Sequence, residues 1–586
     1  MSLGSGIPAT AASLPVVPIP ADPRTPLIPA SIGAPQAPYT VPAPAIPAAA
    51  HMAGNGRSNI HDDAYMSDTY TVAGPEGRGT TVTSTYLVPG TECASVTFDH
   101  AGRIVSVCIG LTPSPLIGTT TNVNLLLMDP HSLAILATYS LPSRPPSTSP
   151  FKEFSGGGYF YLDNQDRAVV ATANRHIMVI GETAGPAFSL IADHDLSVAC
   201  PAMDKLTSAL PDNTGKVWFV SFNGWVGTLD LGNGVIHCIN LAPGESGHLP
   251  AGKSTAEIEN SFAVEPDRSG VYIASETAMY RFDLAPSGAP AVSWQKFYDR
   301  VDVNKPGQVD EGTGTTPTLM GSDLVSITDN ADPMNVVVYR RSDGGRVCKQ
   351  PVFNTAPFRL PSGSAVNYAS DTDNSLVGTD TSMIVENNYG YSGPTATSGG
   401  AVTSPGLSRV DLDPGGGCHT VWTSMERSPT VVPKLSLANG LLYAYTKPPD
   451  SWTPAPNSPT GADPWFLTAL DYRTGRTVWS VLAGVGIGFN NNYAPVTIGP
   501  DGAAYVGVLG GLIEFRDSAS GPVVGITQTP VASAAGGSLP GTSAGSSATL
   551  GLLVTGLVIL AGLFARRAGS RRPAHHAPWR LRRHGR

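Results

Sequence analysis

Residues 463–517 hold the pattern that most restricts the fold of this chain of 586 residues. Two apolar, strand-like runs are joined by a D-x-x-T-G turn at 471–475, and Trp479 follows four residues after Gly475. A longer loop then leads to two more apolar runs, which are joined by a G-P-D-G turn at 499–502. Short runs separated by tight turns rich in Gly and Asp are typical of antiparallel strands. The segment therefore predicts consecutive hairpins and no helix.

The same order of runs and turns recurs upstream from residue 91. Each repeat reads as an apolar run, a turn, a second run that ends in a polar pair, a third run, a Gly-type turn and a fourth run. The eight repeats are spaced about 40–65 residues apart, and they begin near Ala94, Gly158, Ala199, Asn260, Thr315, Ser364, Pro429 and Asn490. This spacing is typical of β-propeller blades. We therefore predict an all-β fold, an eight-bladed β-propeller over residues 91–517.

The eighth repeat is incomplete, because only two or three strands can be placed after Asn490. Residues 51–90 form a lead-in, and its last part, residues 80–90, could supply the missing outer strand. Closing the ring in this way removes exposed sheet edges.

Ala469, Asp471, Gly475 and Trp479 together form A-x-D-x-x-T-G-x-x-x-W. This motif resembles the outer hairpin of the pyrroloquinoline-quinone (PQQ)-like repeat of quinoprotein β-propellers. The resemblance implies that Trp294, Trp422 and Trp479 lie on fourth strands and wedge between neighbouring blades. Dehydrogenases of that family resemble one another in an adjacent Cys-Cys pair beneath the cofactor, and this chain has none. We therefore expect a non-dehydrogenase member without PQQ.

The two ends of the chain differ in composition from the repeats. Residues 1–50 are mostly Ala, Pro, Ser, Val and Ile, which predicts a disordered arm. Residues 518–547 are rich in Ser, Gly, Ala and Pro and predict a flexible stalk linker. Residues 548–565 carry no charge over eighteen positions, which is just enough for a transmembrane helix.

Residues 566–586 contain eight Arg and no acid. By the positive-inside rule this tail is cytoplasmic, so the propeller should lie outside the cell membrane. No leader with a basic start and an apolar run is evident near residue 1, but the basic tail is the stronger indication. The stretch from Leu539 to Ser543, LPGTS, resembles the L-P-x-T-G sorting signal of wall-anchored proteins, with Ser543 in place of Gly. Covalent anchoring to a cell wall therefore stays open.

The charge distribution argues against a nucleic-acid partner. The net charge is −9, and removing the eight Arg of the tail leaves about −17 on the remainder. Binding to phosphates needs clustered Lys and Arg, which this acidic body lacks.

Six Cys residues are compatible with an oxidising compartment. Cys93 and Cys108 are symmetric about a D-H-A-G turn, so we predict a disulfide across one hairpin. Cys200, Cys238, Cys348 and Cys418 cannot be paired from the sequence, and either disulfides or buried free thiols are open for them.

A second cluster of candidate residues lies in the lead-in. His61, Asp62 and Asp63 resemble a metal-binding group. The pattern favours instead a solvated lead-in to the first strand.

Polar residues recur where loops would surround the central channel. In a propeller, the loop before each inner strand and the turn between the second and third strands open on the same face. Asp, Glu and Asn oxygens at such positions suit Ca²⁺. We therefore predict a calcium site at this face, with Glu259, Asn260, Asp329 and Asn330 as metal ligands, and with Glu257, Asn387, Asn388 and Asn490 in ligand binding.

The arrangement is similar to the single calcium at the channel mouth of paraoxonase- and gluconolactonase-type propellers. For each residue taken alone, the turn-forming preference of Asn and Asp is the better explanation, and only the cluster as a whole favours a ligand or metal site. No G-x-S-x-G, H-E-x-x-H or C-x-x-C motif points to a hydrolase. We expect a membrane- or wall-anchored extracellular propeller that acts as a binding or scaffold module for an unknown ligand or protein. The alternative is a calcium-dependent lactonase- or esterase-like hydrolase.

Overall fold

The structure, a computed structural model, describes residues 16–87, 90–114, 118–147, 150–353, 358–359, 365–366, 370–399, 401–448 and 463–518. Within these ranges the chain is almost entirely β. Helix is confined to the single turn α1 (Ala242–Glu245) and to short 3₁₀ turns at Thr25–Leu27, Pro150–Lys152, Pro394–Thr397 and Ile487–Phe489. No helix in the described ranges has the length and apolarity to cross a bilayer. The predicted linker, span and basic tail lie outside the described residues.

The strands form eight main sheets in chain order. Three strands precede them: β1 (Ser31–Gly33), β2 (Thr69–Tyr70) and β3 (Thr81–Tyr86). Blade 1 contains β4 (Thr91–Phe98), β5 (Ile104–Ser114), β6 (Gly118–Met128) and β7 (Ile135–Ser147). Blade 2 contains β8 (Tyr161–Leu162), β9 (Ala168–Ala171), β10 (His176–Glu182) and β11 (Phe188–Asp195). Blade 3 contains β12 (Leu206–Pro211), β13 (Val217–Ser221), β14 (Trp225–Leu229) and β15 (Ile236–Asn240).

The next three blades repeat this antiparallel order. Blade 4 contains β16 (Ala263–Val264), β17 (Val271–Ala274), β18 (Ala278–Leu284) and β19 (Pro290–Phe297). Blade 5 contains β20 (Thr318–Met320), β21 (Leu324–Thr328), β22 (Asn335–Arg340) and β23 (Arg346–Pro351). A small hairpin of β24 (Phe358–Arg359) and β25 (Ala365–Val366) follows. Blade 6 contains β26 (Val377–Gly378), β27 (Ser382–Glu386), β28 (Leu407–Leu412) and β29 (Cys418–Ser424).

The last two blades take in the strands of the N-terminal segment. Blade 7 contains β30 (Lys434–Ser436), β31 (Leu441–Thr446), β32 (Pro464–Asp471) and β33 (Thr477–Val485), with β1 on its outer edge and β2 parallel to its inner strand. Blade 8 contains β34 (Val496–Ile498), β35 (Ala504–Val508) and β36 (Gly511–Arg516), and β3 pairs antiparallel with β36 as its outer strand. Phe98 of blade 1 packs on Tyr505 of blade 8, with ring centres 5.5 Å apart. The predicted eight-bladed propeller is confirmed.

The boundaries of the sixth repeat differ from the prediction. Its inner strand begins at Val377 and not near Ser364. The hairpin of β24 and β25 is inserted between blades 5 and 6. Its sequence was therefore mistaken for the inner strand of blade 6.

The prediction of a disordered N-terminal arm is wrong for residues 16–50. Ile19, Ile28 and Val41 are buried, and β1 pairs with β33. The backbone N–H of Val41 also donates to the carbonyl of Leu437 at 2.8 Å. The Pro-rich composition does favour extended chain. Because apolar residues recur along it, this extended chain packs against blades 7 and 8; residues 1–15 lie outside the described residues.

Residues 52–70, the channel segment, line one end of the central channel. Their carbonyls accept backbone hydrogen bonds from inner strands in turn: Leu162 to Ser58, Val264 to Ala64, Leu319 to Tyr65, Gly378 to Ser67, and Leu435 to Asp68. These donors belong to blades 2, 4, 5, 6 and 7. The expected solvated lead-in is therefore wrong for this segment, because it is buried where the inner strands converge.

Tryptophans on fourth strands pack against the next part of the ring. Trp422 in β29 donates from Nε1 to the carbonyl of Tyr472 at 2.9 Å and lies over Gly475. A Cβ at Gly475 would come within 2.4 Å of the indole, and φ is +67° there. Trp294 meets Gly344 of blade 5 in the same way. The D-x-x-T-G turn thus needs Gly at position 475 for two reasons: its φ is positive, and the indole of Trp422 leaves no room for a side chain.

All six Cys residues form disulfides. Cys93–Cys108 joins β4 to β5, so that prediction is confirmed. The pairs that the sequence left open are Cys200–Cys238 and Cys348–Cys418, and the second joins the outer strands of blades 5 and 6.

Candidate ligand site at the channel mouth

The other end of the channel, where the inner strands begin, is the mouth. Residues 299–314, the mouth loop, connect blade 4 to blade 5 and cross it. Tyr493 donates from its hydroxyl to the carbonyl of Gly307 at 2.9 Å, and Lys152 donates from Nζ to the carbonyl of Gln308 at 2.5 Å. The side-chain amide of Asn260 donates to Gly314 at 2.8 Å, and the amide of Gly390 donates to Pro306. These four contacts come from around the whole ring, so the loop covers the axis.

Beneath the mouth loop lie three carboxyl groups with no hydrogen-bond donor in the described residues. Glu259, Asp371 and Asp373 are 5%, 0% and 6% exposed, and none of their six carboxylate oxygens has a hydrogen-bond partner. The loop is pressed onto them: a Cβ at Gly307 would lie 2.5 Å from Asp371 Oδ1, and one at Gly314 would lie 2.4 Å from Asp373 Oδ1. Buried, unpaired carboxylates are strongly unfavourable.

The electrostatics of the three groups reflect this burial. Burial raises the pKa of Glu259 well above its ordinary value, and the charge of Asp373 adds to the shift. Burial likewise raises the pKa of Asp373, with a further contribution from Asp371. Burial also raises the pKa of Asp371 well above its ordinary value, and the charges of Lys305 and then Lys152 oppose this shift. The charge of Lys152 opposes the shifts of Glu259 and Asp373 too. The backbone N–H of Val309 also approaches Asp373, but not in hydrogen-bonding geometry.

A second acidic group at the mouth already has a cation. Glu257, Glu276 and Asp310 each offer an oxygen within 4.8 Å of the others, a spacing that could hold a metal ion. Lys253 Nζ lies 2.7 Å from Glu257 and 2.8 Å from Glu276, and it also pairs with Glu311. Burial raises the pKa of Glu276 to about 7 although Lys253 opposes the shift. The lysine ammonium thus already pairs with two of the three candidate metal ligands.

Each of the four predicted metal ligands has its own surroundings in the fold. Glu259 lies in the unpartnered group, and Asn260 uses its amide oxygen to accept from Tyr159 and its nitrogen to hold Gly314. Asn330 donates to the carbonyl of Glu311 at 2.8 Å and leaves its oxygen without a partner. Asp329 turns away and accepts from the backbone and side chain of Asn335.

The remaining predicted ligand-binding residues mostly support loops. Asn387 accepts from the amide of Tyr389, and Asn388 accepts from the amide of Asp373 at 2.8 Å and donates to Pro429. Asn490 donates to Thr397 and accepts from Tyr391 and the amide of Asn492. Both polar atoms of Asn388 and Asn490 are therefore used within the fold, as expected for turn-forming Asn. Glu257, as described, is bound by Lys253.

His61, Asp62 and Asp63 are buried in the channel and are not a solvated lead-in. His61 Nδ1 lies 3.1 Å from Asp68 Oδ1, and Lys434 Nζ lies 3.2 Å from Asp62 Oδ2 and closer still to Asp68. Burial lowers the pKa of Lys434, but the charges of Asp62 and Asp68 outweigh it and hold this pKa above its ordinary value. This group holds a lysine ammonium and ties the channel segment to blade 7.

The sequence analysis missed Asp371, Asp373 and Asp310. Asp371 and Asp373 lie in the D-T-D-N stretch directly before the inner strand of blade 6. Placing the start of that blade near Ser364 moved them out of the channel-facing positions. Alternating acids immediately before an inner strand were the available signal.

A cavity of about 70 Å³ opens beside these acids. Asp373, Ser375, Asn260, Tyr159 and His61 line it near the channel axis. On the side of blade 1, its walls are Glu92 together with apolar side chains, among them Ile109, Leu111, Phe151 and Leu509. The cavity thus joins a buried acidic end to an apolar wall.

Comparisons with known proteins give distant likenesses. No family model matches the chain. An uncharacterized protein from Archaeoglobus fulgidus is 24% identical over 277 residues, 44% of this chain and 51% of that protein. The chain therefore spans about half the length of this relative. Its function is not described by the name, so it adds no activity.

Two solved structures are similar at low identity. BamB from Moraxella catarrhalis matches at 15% identity and a TM-score of 0.37, covering 61% of this chain and 86% of that chain. The quinohemoprotein alcohol dehydrogenase ADHIIG from Pseudomonas putida HK5 matches at 11% identity and a TM-score of 0.48, covering 82% of each chain. Solved neighbours thus include quinoprotein-type propellers. The assignment of the fold rests on the eight sheets and not on these scores.

The expectation that PQQ does not bind stays a prediction. PQQ is a tricarboxylate, and in the described residues the carboxyl groups of Glu259, Asp371 and Asp373 have no hydrogen-bond donors at this mouth.

Proposed function

We propose that this protein is an extracytoplasmic binding or scaffold propeller held to the membrane or cell wall by its C-terminal region. The observation that carries the proposal is the set of three disulfides, since stable disulfides form in oxidising compartments. Residues 548–565 would anchor the chain in the membrane, and Leu539 to Ser543 would be the site of any wall attachment. The partner is an extracellular ligand or protein and not a nucleic acid.

Closure of the channel supports binding in preference to catalysis. The channel segment packs against the inner strands at one end, and the mouth loop crosses the other. A substrate would have to displace the mouth loop to enter along the axis. The outer loops and the blade edges remain accessible to a partner without any movement.

The location is tested by protease treatment of intact cells that produce the full chain. Peptides from residues 16–518 should be released before lysis, whereas a cytoplasmic marker should stay intact. Mass spectrometry without reduction should find the three disulfide-linked peptides. Protection of the propeller until lysis, or free thiols at all six positions, would contradict the proposal.

A calcium-dependent lactonase- or esterase-like hydrolase is the second candidate. Its support is the metal-compatible spacing of Glu257, Glu276 and Asp310. A cation there would have to replace the ammonium of Lys253. Lactone hydrolysis that depends on Ca²⁺, is abolished by chelation and is lost in Glu276→Gln would favour this candidate. Equal background rates with and without Ca²⁺ would remove it.

A further inference from the structure

The three unpartnered carboxyl groups at the mouth are suited to bind a cationic ligand. Glu259, Asp371 and Asp373 are all more than nine-tenths buried, and none of the described residues donates a hydrogen bond to their carboxyl groups. Buried carboxylates are ordinarily paired or bound to a ligand. The nearest lysines are already engaged elsewhere, because Lys152 donates to Gln308 and Lys305 donates to the carbonyls of Ser370 and Ala331.

Of the three acids, Asp373 lines the cavity described above, and neither of its carboxylate oxygens has a hydrogen-bond partner in the described residues. Tyr159 and Tyr493 also line the cavity. The charges of Glu259 and Asp373 contribute to the raised pKa of both tyrosines, after burial, so the two acids lie close to this cavity.

The spacing of these acids does not suit a single bare metal ion. Ca²⁺ binds oxygens at about 2.3–2.6 Å, so its ligand oxygens must lie within about 5 Å of one another. In the described ranges that spacing occurs for Glu257, Glu276 and Asp310 and not for Glu259, Asp371 and Asp373. A larger cation with separate donors fits these three acids better.

The far side of the cavity offers a second, weakly partnered carboxyl group. Glu92 accepts a hydrogen bond of 3.4 Å from Asn492. Arg144 and Glu153 also line the cavity, and Arg144 directs its guanidinium to the carbonyls of Ser155 and Glu153. Burial raises the pKa of Glu92, and the hydrogen bond from Asn492 and the charge of Arg144 oppose this shift. Between Glu92 and Asp373 the walls include Ile109, Leu111, Phe151 and Leu509. The cavity of about 70 Å³ holds roughly five or six non-hydrogen atoms, at about 10–15 Å³ for each water-sized group.

We propose that this cavity binds a small organic dication of the alkyl diamine class. One ammonium group donates to Asp373, the second donates to Glu92, and the methylene chain lies against the apolar wall. Each ammonium group forms charge-assisted hydrogen bonds, and the chain is removed from water. The inference rests on the proposed binding function and specifies a small ligand for it, one that has to pass the mouth loop just as a substrate would and is distinct from a partner bound on the outer loops.

The test is calorimetric titration of the full chain with four probes: 1,4-diaminobutane, 1-aminobutane, 1,4-butanediol and CaCl₂. The diamine should bind, the monoamine should bind at least about tenfold more weakly because one charge-assisted pair is lost, and the uncharged diol should not bind. Ca²⁺ should not compete with the diamine. Equal affinity for the diamine and the monoamine, binding of the diol, or displacement of the diamine by Ca²⁺ would overturn the proposal.

Variants locate the site. Asp373→Asn and Glu92→Gln should each weaken diamine binding at least about tenfold, and Asp230→Asn, which changes an exposed acid near Lys216, should not. Unchanged affinity in both channel variants would overturn the assignment. If Asp373→Asn does not fold, the comparison of probes on the natural chain still decides the matter. Failure here leaves the extracytoplasmic location untouched, since protease treatment tests that separately.

Discussion

Replacing Lys434 by Met removes the only ammonium group that contacts Asp62 and Asp68 in the described part of the channel. Lys434 and both acids are at most 2% exposed, and its Nζ also donates to the carbonyl of Ile60 at 2.6 Å. Removing one partner from a buried ion pair destabilises a protein by about 3–5 kcal/mol, because the remaining charge is uncompensated. We expect a loss of about 3–5 kcal/mol in the free energy of unfolding at pH 8.

The assay is urea unfolding followed by intrinsic fluorescence, at pH 8 and at pH 5. The loss should be smaller at pH 5, because burial raises the pKa of Asp62 well above its ordinary value and the charge of Lys434 no longer opposes this shift in the variant. Lys216→Met is the matched control. It breaks a pair with Asp230 at 3.3 Å whose side chains are 20% and 36% exposed, so it should cost less than about 1 kcal/mol.

Equal effects of Lys434→Met and Lys216→Met would refute the reasoning. If the Met variant does not fold, adding Asp62→Asn and Asp68→Asn should restore folding, since the buried charges are then removed together. Failure of this charge-free variant to recover would also count against the account.

Three further predictions concern other parts of the ring. Burial raises the pKa of Glu386 from 4.5 to about 8, so the folded state keeps a proton that the unfolded chain releases. The free energy of unfolding should therefore fall as pH rises from about 4.5 to about 8. Glu386→Gln should make this fall smaller, as measured by urea unfolding at several pH values. Gly314→Ala places a Cβ 2.1 Å from the carbonyl of Thr372, so it should lift the mouth loop and create new sites of limited proteolysis, whereas Gly185→Ala, which meets open space, should not. Replacing both Cys348 and Cys418 by Ala opens a link across 70 residues and should lower the free energy of unfolding by about 4 kcal/mol, measured by urea unfolding; a loss below about 1 kcal/mol would contradict this estimate.

Most of the fold could be predicted from the repeating pattern of apolar runs and turns. Turns such as 471–475 and 499–502 impose local hairpins, and their spacing is set by the chain itself. The pairing of Cys93 with Cys108 followed because both lie on one hairpin. The pairing of Cys348 with Cys418 could not be predicted, since it depends on how neighbouring blades face each other.

The candidate site was only partly predictable because it is made by long-range packing. Glu259 and Asn260 were found from their place before an inner strand. Nothing local shows that Asp329 turns towards Asn335, or that residues 299–314 cross the axis. The N-terminal arm was misjudged for the same reason: its Pro-rich sequence favours extended chain, and only the surface of blades 7 and 8 determines whether that chain packs.

Hydrogen exchange on the full chain, followed by mass spectrometry, tests most directly whether the chain closes its own channel at both ends. Peptides from residues 52–70 and 305–314 should exchange as slowly as those from the inner strands, because these parts of the channel segment and the mouth loop are held by contacts within the ring. Exchange of either segment at the rate of an unstructured peptide would contradict this prediction, since the channel would then be open at that end.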